Sequence, residues 1–184
     1  MGFHTFDLAE TDRLEQPSRF RFCSREELLQ ALPDGGTLLD LGSGTGFYTD
    51  ELAPFFGRVV AVDLQPAMHR QYRERGMPAN VQPVTGDAAA LPFADGAFDA
   101  AVSTMTFHES TTEEGLRDLY RVLADDAPFV AVDWSGAGRG ESGPPRSERF
   151  DAAEARSLLS AAGFEVETAT ERSETFFVRT TSRY

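Results

Sequence analysis

The stretch Asp40-Leu41-Gly42-Ser43-Gly44-Thr45-Gly46 decides the fold that this sequence predicts. It includes the end of a short apolar run, residues 37–41, and precedes a segment with apolar residues at helical spacing, residues 47–56. Three glycines at alternate positions let the backbone turn sharply from a strand into a helix, and they admit a ligand without a Cβ clash. The acidic side chain ahead of them suits a cation or an amine and would repel a phosphate. We therefore expect a buried strand, a ligand-binding loop and a helix in direct succession.

The spacing of the glycines distinguishes two classes of ligand. A dinucleotide-binding loop has the pattern Gly-x-Gly-x-x-Gly, and its helix N-terminus is free to meet a pyrophosphate. Here the pattern is Gly-x-Gly-x-Gly behind a carboxylate. A strand-to-helix turn without any ligand could use the same residues. The loop alone therefore leaves open whether it binds a ligand or only joins a strand to a helix.

Outward from this loop, short apolar strands alternate with helices. Strands are predicted at residues 37–41, 58–63, 81–85, 98–103, 129–134, 164–168 and 175–180, and helices at 25–32, 47–56, 66–75, 113–123 and 151–162. This alternation is typical of a parallel α/β sheet covered on both faces. A polar turn joins the last two strands, which should therefore be antiparallel. We expect one domain over residues 1–184, with residues 1–24 as an N-terminal arm or lid.

Two acidic residues follow neighbouring strands at the edge where such sheets bind ligands. Asp63 ends the second strand, seventeen residues after Gly46, and can accept hydrogen bonds from the hydroxyls of a ribose. It could instead cap the helix that Pro66 begins. Asp87 follows the third strand beside small residues and can accept an adenine amino group, or can simply initiate a turn. Together with the loop, these residues favour a ligand that contains adenosine.

The charge balance argues against several kinds of partner. The chain has 30 acidic and 17 basic residues, a formal net charge of −13, and no lysine. Such an acidic protein repels the phosphates of nucleic acids and of anionic membranes, so we expect neither as a partner. No apolar run is long enough for a bilayer, and the N-terminus lacks the pattern of a secretory signal. We therefore expect a cytoplasmic protein.

We expect no metal site and no internal disulfide. Cys23 is the only cysteine, and the three histidines are His4, His69 and His108, of which no two have ligand spacing on one helix. His69 lies beside Arg70 in a helix that should face solvent, so we expect its ring to be solvated.

The motifs in order resemble those of the class I S-adenosylmethionine (SAM)-dependent methyltransferases. The resemblance covers nearly the whole chain and is strongest to the branch typified by ubiquinone and menaquinone biosynthesis enzymes. It rests on Leu38-Leu39-Asp40-Leu41-Gly42-Ser43-Gly44-Thr45-Gly46, Val60-Ala61-Val62-Asp63-Leu64, Gly86-Asp87-Ala88 and Phe98-Asp99. Thr106-Phe107-His108-Glu109 and Val132-Asp133-Trp134 are similar to segments of small stand-alone members.

This resemblance implies a fold, a cofactor and a set of binding residues. The fold is Rossmann-like, with a seven-stranded, mostly parallel sheet in the order 3-2-1-4-5-7-6 and an antiparallel seventh strand. The cofactor is SAM, and the product is S-adenosylhomocysteine. Carried over by motif, the methionine part of SAM would be held by Asp40, Gly42, Ser43, Gly44 and Gly46, and the ribose by Asp63. Leu64, Gln65 and Met68 would flank the adenosine, and Asp87 and Ala88 would lie at the adenine edge. Ser103 and Thr104 would lie next to the sulfonium.

Methyl transfer from a sulfonium needs alignment and exclusion of water, and a base only if the acceptor must lose a proton. The candidate bases are His108, Glu109 and Asp133, with His4 if the arm folds over the site. Each could equally be structural, and Trp134, Phe107 and Phe6 could line an acceptor pocket or belong to the core.

The acceptor is expected to be a small molecule, and the sequence does not distinguish a monomer from a homodimer. Two other functions stay open: a non-catalytic SAM-binding sensor or scaffold, and a nicotinamide-dependent oxidoreductase, which the glycine spacing disfavours.

The acidic, lysine-free composition predicts a halophilic protein, although a GC-rich genome would also favour arginine over lysine. At molar salt the Debye length falls to roughly 3 Å, so repulsion between surface carboxylates nearly vanishes. We expect the free energy of unfolding, measured by urea denaturation, to be higher in molar KCl than in dilute buffer. Equal stability in the two media would contradict a halophilic origin.

Overall fold

A seven-stranded sheet forms the centre of the protein, and the computed structural model describes residues 8–183. The spatial order of the strands is β3-β2-β1-β4-β5-β7-β6, in which β7 is antiparallel to both neighbours and the other pairs are parallel. The predicted fold class and strand order are confirmed. In chain order the strands are β1 (Thr37–Leu41), β2 (Arg58–Asp63), β3 (Val81–Thr85), β4 (Ala100–Thr104), β5 (Pro128–Trp134), β6 (Glu165–Glu171) and β7 (Thr175–Thr181).

Helices cover both faces of this sheet, as the alternating sequence pattern predicts. The predicted boundaries agree within a few residues, and the fourth strand begins later because Phe98 forms only an isolated bridge with Leu123. No helix in the described part of the chain is both long and apolar enough to cross a membrane. The α-helices of residues 8–183 are α1 (Arg25–Ala31), α2 (Phe47–Leu52), α3 (Pro66–Glu74), α4 (Phe107–Ser110), α5 (Glu113–Val122) and α6 (Ala152–Ala161), with 3-10 segments at Leu8–Glu15, Pro17–Arg21, Ala53–Phe55 and Arg146–Glu148.

Alternation along the strands builds a separate hydrophobic core on each face of the sheet. Successive side chains of a strand point to opposite faces. Leu39 of β1 therefore packs in one core, which includes Leu159 of α6. Its neighbour Leu38 packs in the other core, with Leu28 of α1 and Leu52 of α2. The central strands are buried on both sides, which leaves their carboxyl ends as the edge open to a ligand.

The N-terminal arm, residues 8–24, crosses the carboxyl edge of the sheet beside the glycine-rich loop. The Tyr48 hydroxyl contacts the carbonyl oxygens of Arg19 and Cys23, both at 3.2 Å. Glu15 accepts a hydrogen bond from the Thr45 hydroxyl and forms an ion pair with Arg75. Side chains from the loop, α2 and α3 thus hold the arm in place.

His69 is buried, so the prediction of a solvated ring is wrong. Met68, His69 and Tyr72 share the inner side of α3, and the charged Arg70 and Arg73 lie on its exposed side. The His69 ring is 2 % exposed and its Nδ1 lies 3.4 Å from the Thr85 hydroxyl. A helix only nine residues long carried too little periodicity to reveal which of two adjacent polar residues faces the sheet.

Candidate active site

A cavity of about 690 Å³ opens at the carboxyl edge of the sheet. The ends of β1 to β5 form its floor, the N-terminal arm covers one side, and the loop after β5 closes another. Its wall includes predicted cofactor residues from every motif: Gly42, Ser43, Gly44, Asp63, Leu64, Gln65, Met68, Asp87, Ala88 and Thr104. The predicted catalytic residues His108 and Glu109 line the same cavity.

The glycines allow the chain to leave β1 and enter α2 within a few residues. Gly42 has φ of 72°, and a Cβ there would lie 2.3 Å from the Thr106 hydroxyl oxygen. Gly46 has φ of 91°, and a Cβ there would lie 2.2 Å from the Tyr72 ring. Any other residue at either position would meet both a backbone penalty and a clash. Gly46 does not line the cavity, so its contribution is to the conformation of the loop and not to direct contact with a ligand.

Asp63 connects the end of β2 to this loop. Its Oδ2 accepts a hydrogen bond from the Gly44 amide at 2.8 Å, and its Oδ1 accepts one from the Gln65 amide at 2.8 Å. The N-cap of α3 is Gln65, so Asp63 does not cap that helix. Its carboxylate lines the cavity, and the assignment to a ribose stays a prediction.

Asp40 lies behind the loop instead of in the cavity wall. The Thr49 hydroxyl donates to its Oδ2 at 2.5 Å, and its Oδ1 has no hydrogen-bond partner among the described residues. Burial of this side chain, which is 1 % exposed, raises its pKa to about 6. The Ser43 hydroxyl, on the cavity side of the loop, also lacks a partner within residues 8–183. Two polar groups beside the loop therefore retain hydrogen-bonding capacity.

Asp87 initiates a turn after β3, as the simpler interpretation of the sequence held. Its Oδ1 accepts a hydrogen bond from the Ala89 amide at 2.8 Å. The same side chain lines the cavity with Ala88, and contact with an adenine stays a prediction. Ser103 is only 2 % exposed and lies beneath the wall, where its hydroxyl is 3.1 Å from that of Thr106.

His108, Glu109 and Asp133 form one cluster at the end of the cavity near β5. Asp133 is fully buried and accepts three hydrogen bonds: from the His108 amide at 2.6 Å, from His108 Nδ1 at 2.8 Å and from the Trp134 amide at 2.7 Å. Because a carboxylate only accepts hydrogen bonds, Nδ1 carries the ring proton and Nε2 is left as the basic nitrogen. Glu109 Oε1 lies 3.7 Å from that Nε2.

The charges in this cluster shift two pKa values. Burial favours the neutral ring of His108, but its hydrogen bond to Asp133 and the nearby carboxylates outweigh burial and raise its pKa above the ordinary value. Burial also raises the pKa of Glu109 to about 7, against the opposing effect of His108. The site therefore holds a histidine with a raised pKa beside a glutamate with a pKa of about 7, which suits acid–base chemistry.

The loop after β5 is shaped by Arg149, which sequence reasoning missed. This guanidinium is 7 % exposed and donates to the carbonyl oxygens of Ser135, Ser142 and Pro144. Gly143 packs on the Trp134 indole so closely that a Cβ would lie 2.4 Å from the ring. Trp134 lines the cavity, in edge contact with the Phe22 ring at 4.6 Å.

Other aromatic and arm residues are divided between the core and the cavity wall. Phe107 belongs to the core and is 2 % exposed, whereas His4 and Phe6 lie outside the described residues. The arm adds wall residues that were not among the predicted site residues, namely Arg13, Leu14, Gln16, Ser18, Arg19, Arg21 and Phe22.

Comparison with known proteins identifies the family. The profile of the methyltransferase domain family matches residues 38–126. A SAM-dependent methyltransferase of Aquifex aeolicus has 30 % sequence identity over 97 % of this chain and 100 % of its own, with a TM-score of 0.87. This chain belongs to the SAM-dependent methyltransferases.

Two further relatives extend the comparison. The ubiquinone/menaquinone biosynthesis C-methyltransferase of Klebsiella pneumoniae is 35 % identical over 109 residues, which cover 55 % of this methyltransferase and 43 % of the relative. The chain thus spans less than half the length of the curated relatives that it matches. A Haloferax volcanii methyltransferase, solved in complex with the Trm112 activator, shares the fold at 18 % identity and a TM-score of 0.78 over 95 % of this chain and 96 % of its own.

The cofactor of this methyltransferase is SAM, and the cavity fits it. The amino-acid part of SAM carries an ammonium and a carboxylate, and the nucleoside part carries ribose hydroxyls. Asp40 Oδ1, behind the loop, and the Ser43 hydroxyl have no hydrogen-bond partner among the described residues, and Asp63 lines the cavity. The comparisons support a methyltransferase and give no support to a nicotinamide-dependent oxidoreductase or to a non-catalytic protein.

The raised pKa of Glu109 predicts a pH-dependent stability difference. An unfolded glutamate has a pKa of about 4.3, so between about pH 4.3 and 7 the folded protein binds more protons and loses stability as the pH rises. Glu109→Gln cannot ionise. We therefore expect the stability of this variant relative to the unsubstituted protein, measured by urea denaturation, to increase from about pH 5 to about pH 8.

The exposed Glu74 provides a control, because Glu74→Gln makes the same chemical change at a position outside the cavity. A flat difference for Glu109→Gln would mean that Glu109 titrates as an ordinary surface carboxylate.

Proposed function

We propose that this methyltransferase transfers the methyl group of SAM to a small acceptor bound at the His108 end of the cavity, and that His108 removes a proton from that acceptor. The observation that carries the proposal is the hydrogen bond between His108 Nδ1 and the buried Asp133, at the wall of a cavity that also contains the glycine-rich loop. A histidine with a fixed tautomer and a free Nε2 is arranged as a general base.

The cofactor would be held by the motif residues in the order of the chain. Asp63 would accept hydrogen bonds from the ribose, and Asp87 with Ala88 would meet the adenine. Leu64, Gln65 and Met68 would pack against the adenosine, and all three lie in the cavity wall. The loop, with Asp40 behind it, would receive the methionine part through Ser43 and the loop amides. Thr104, supported from beneath by Ser103, would lie next to the sulfonium.

Bound SAM supplies an electrophilic methyl group on a positively charged sulfur, so the protein has to supply orientation, exclusion of water and a proton acceptor. His108 Nε2 would take the acceptor proton. Asp133 would stabilise the resulting imidazolium, because its carboxylate is buried beside Nδ1. Glu109, 3.7 Å from Nε2, would then pass the proton towards solvent.

A base of this kind favours an acceptor that is a weak carbon or oxygen acid, because such a group becomes a good nucleophile only after it loses a proton. The Klebsiella relative is named as a C-methyltransferase of ubiquinone and menaquinone biosynthesis, which agrees with a carbon acceptor. Trp134 and Phe22 would form apolar walls for this acceptor. The arm, which covers the cavity through Leu14, Gln16 and Arg19, would act as a lid that excludes water.

We also propose a halophilic, cytoplasmic setting for the enzyme. Its support is the formal charge of −13 without lysine, and the pairing of arginines with carboxylates. Arg172 with Glu27 is an example of an ion pair that molar salt screens less than an exposed pair, because both side chains are partly buried.

Substitution of Asp63 tests the cofactor site. We expect the protein to bind SAM and S-adenosylhomocysteine, but not NAD, in calorimetric titrations in molar KCl. Asp63→Ala should weaken SAM binding by about 1.5–3 kcal/mol, the range for hydrogen bonds to charged groups. Asp34→Ala, in an exposed turn, should leave the affinity unchanged. An unchanged affinity in Asp63→Ala would remove this residue from the site, and NAD binding alone would refute the proposed function.

Substitution of the proposed base tests the chemistry. His108→Gln and Asp133→Asn should bind SAM normally but lose most turnover, measured as S-adenosylhomocysteine release with a panel of phenols and 1,3-dicarbonyl compounds. Turnover of the unsubstituted enzyme should fall as the pH is lowered through the pKa of His108. Glu74→Gln serves as a control for both binding and turnover. Full activity in His108→Gln, or turnover confined to a parallel panel of amines and independent of His108, would contradict the proposal.

A further inference from the structure

Arg19 differs from the other arginines of the cavity wall in its surroundings. It lies in the 3-10 segment Pro17–Arg21 of the arm, and its guanidinium covers the rings of Phe47 and Tyr48 at 4.9 and 5.0 Å. These are the first two residues after the glycine-rich loop, so the guanidinium lies at the loop end of the cavity. Its Nη1 donates to the Leu14 carbonyl at 2.6 Å.

Within residues 8–183, Arg19 has no carboxylate within ion-pair distance. Glu15, its nearest acidic neighbour in the arm, is paired with Arg75. The buried Arg149 also lacks an ion pair, but three carbonyl groups surround it, whereas Arg19 reaches one. Burial lowers the pKa of Arg19, which shows that its charge is poorly compensated. An anion that enters the cavity would stabilise this half-buried guanidinium, because it would neutralise a charge that has no ion-pair partner among the described residues.

The other arginines of the wall are less suited to that anion. Arg13 is exposed and forms an ion pair with Glu10. Arg21 is exposed, covers the Phe22 ring at 4.4 Å and contacts the Ser142 hydroxyl at 3.4 Å. Among the three arginines of the cavity wall, Arg19 is therefore the half-buried one without an ion pair, and it packs on the first residues after the loop.

We propose that Arg19 binds the α-carboxylate of the amino-acid portion of SAM. This inference rests on the proposed cofactor site. The amino-acid portion is a zwitterion, and the loop has one group for each of its charges. Asp40 Oδ1, behind the loop, and the buried Ser43 hydroxyl have no hydrogen-bond partner among residues 8–183, so the Asp40 carboxylate is the negative group that the ammonium would approach. Arg19 lies on the side of the arm, close enough for the charge of Asp40 to act on it.

The assignment gives the arm a role in binding. The guanidinium belongs to the arm, which also contacts the loop region through Glu15, the Phe20 ring and the Tyr48 hydroxyl. A carboxylate bound by Arg19 would add a charge-assisted hydrogen bond between the cofactor and the arm. The arm would then be fastened over the cavity when the cofactor is bound.

The test compares two ligands that share the nucleoside and the thioether but differ in the amino-acid group. S-adenosylhomocysteine carries the carboxylate, and 5′-methylthioadenosine does not. In calorimetric titrations, Arg19→Gln should lower the affinity for S-adenosylhomocysteine about tenfold or more, as expected for a lost charge-assisted hydrogen bond, and should leave the affinity for 5′-methylthioadenosine unchanged. Arg25→Gln makes the same charge change at an exposed position outside the cavity and should alter neither.

Two further variants separate the guanidinium from the order of the arm. Arg19→Lys keeps the charge without the planar fork, so it should lose part of the affinity for S-adenosylhomocysteine alone. Tyr48→Phe removes the hydroxyl that contacts the arm carbonyls, and it should affect both ligands alike. The inference is overturned if Arg19→Gln weakens both ligands equally, or if Tyr48→Phe reproduces the selective loss. Failure of the unsubstituted protein to bind either ligand would instead refute the cofactor site itself.

Discussion

The arrangement of the site depends on the turn by which the chain leaves β1 and enters α2. This turn places three residues in backbone conformations that only glycine adopts readily, and the space around it is filled by Thr106 and by Tyr72. Asp63 then fixes the turn from the neighbouring strand, through the Gly44 amide. The loop, the end of β2 and the start of α3 are therefore one hydrogen-bonded unit. The arm rests on that unit, and the cluster of His108, Glu109 and Asp133 lies at the end of the cavity near β5.

Much of this could be predicted because it is encoded locally. The strand order was implied by the resemblance to the class I methyltransferases, which rests on short motifs such as the glycines and Asp63. The clustering of His108 with Asp133 followed from their positions after β4 and at the end of β5, since neighbouring parallel strands end at the same edge. The turn at Asp87 was likewise indicated by residue type alone. In each case a few adjacent residues carried the information.

The remaining features depend on contacts between distant residues. Arg19 meets Tyr48 twenty-nine residues later in the chain, and nothing in the arm sequence marks it as a ligand group. Asp40 was expected to face the ligand, but alternation in β1 turns its side chain towards Thr49 behind the loop. His69 was assigned to solvent because α3 is short and polar, although the packing of the helix against β3 buries it. Burial of a single polar side chain is a property of the assembled layers, and no local pattern encodes it.

All the hydrogen bonds by which Arg149 holds the loop after β5 go to main-chain carbonyl groups, and this has a consequence for how the enzyme can change. Every residue offers the same carbonyl, so the shape of this wall does not depend on which side chains Glu141 and Ser142 carry towards the cavity. Gly143 is the exception, because a larger residue at this position would clash with the Trp134 indole. Substitutions at the two neighbouring positions can therefore alter which molecules the pocket accepts while the backbone that frames it stays in place. The side chains at these two positions can therefore change during evolution without loss of the backbone contacts that keep the loop in place.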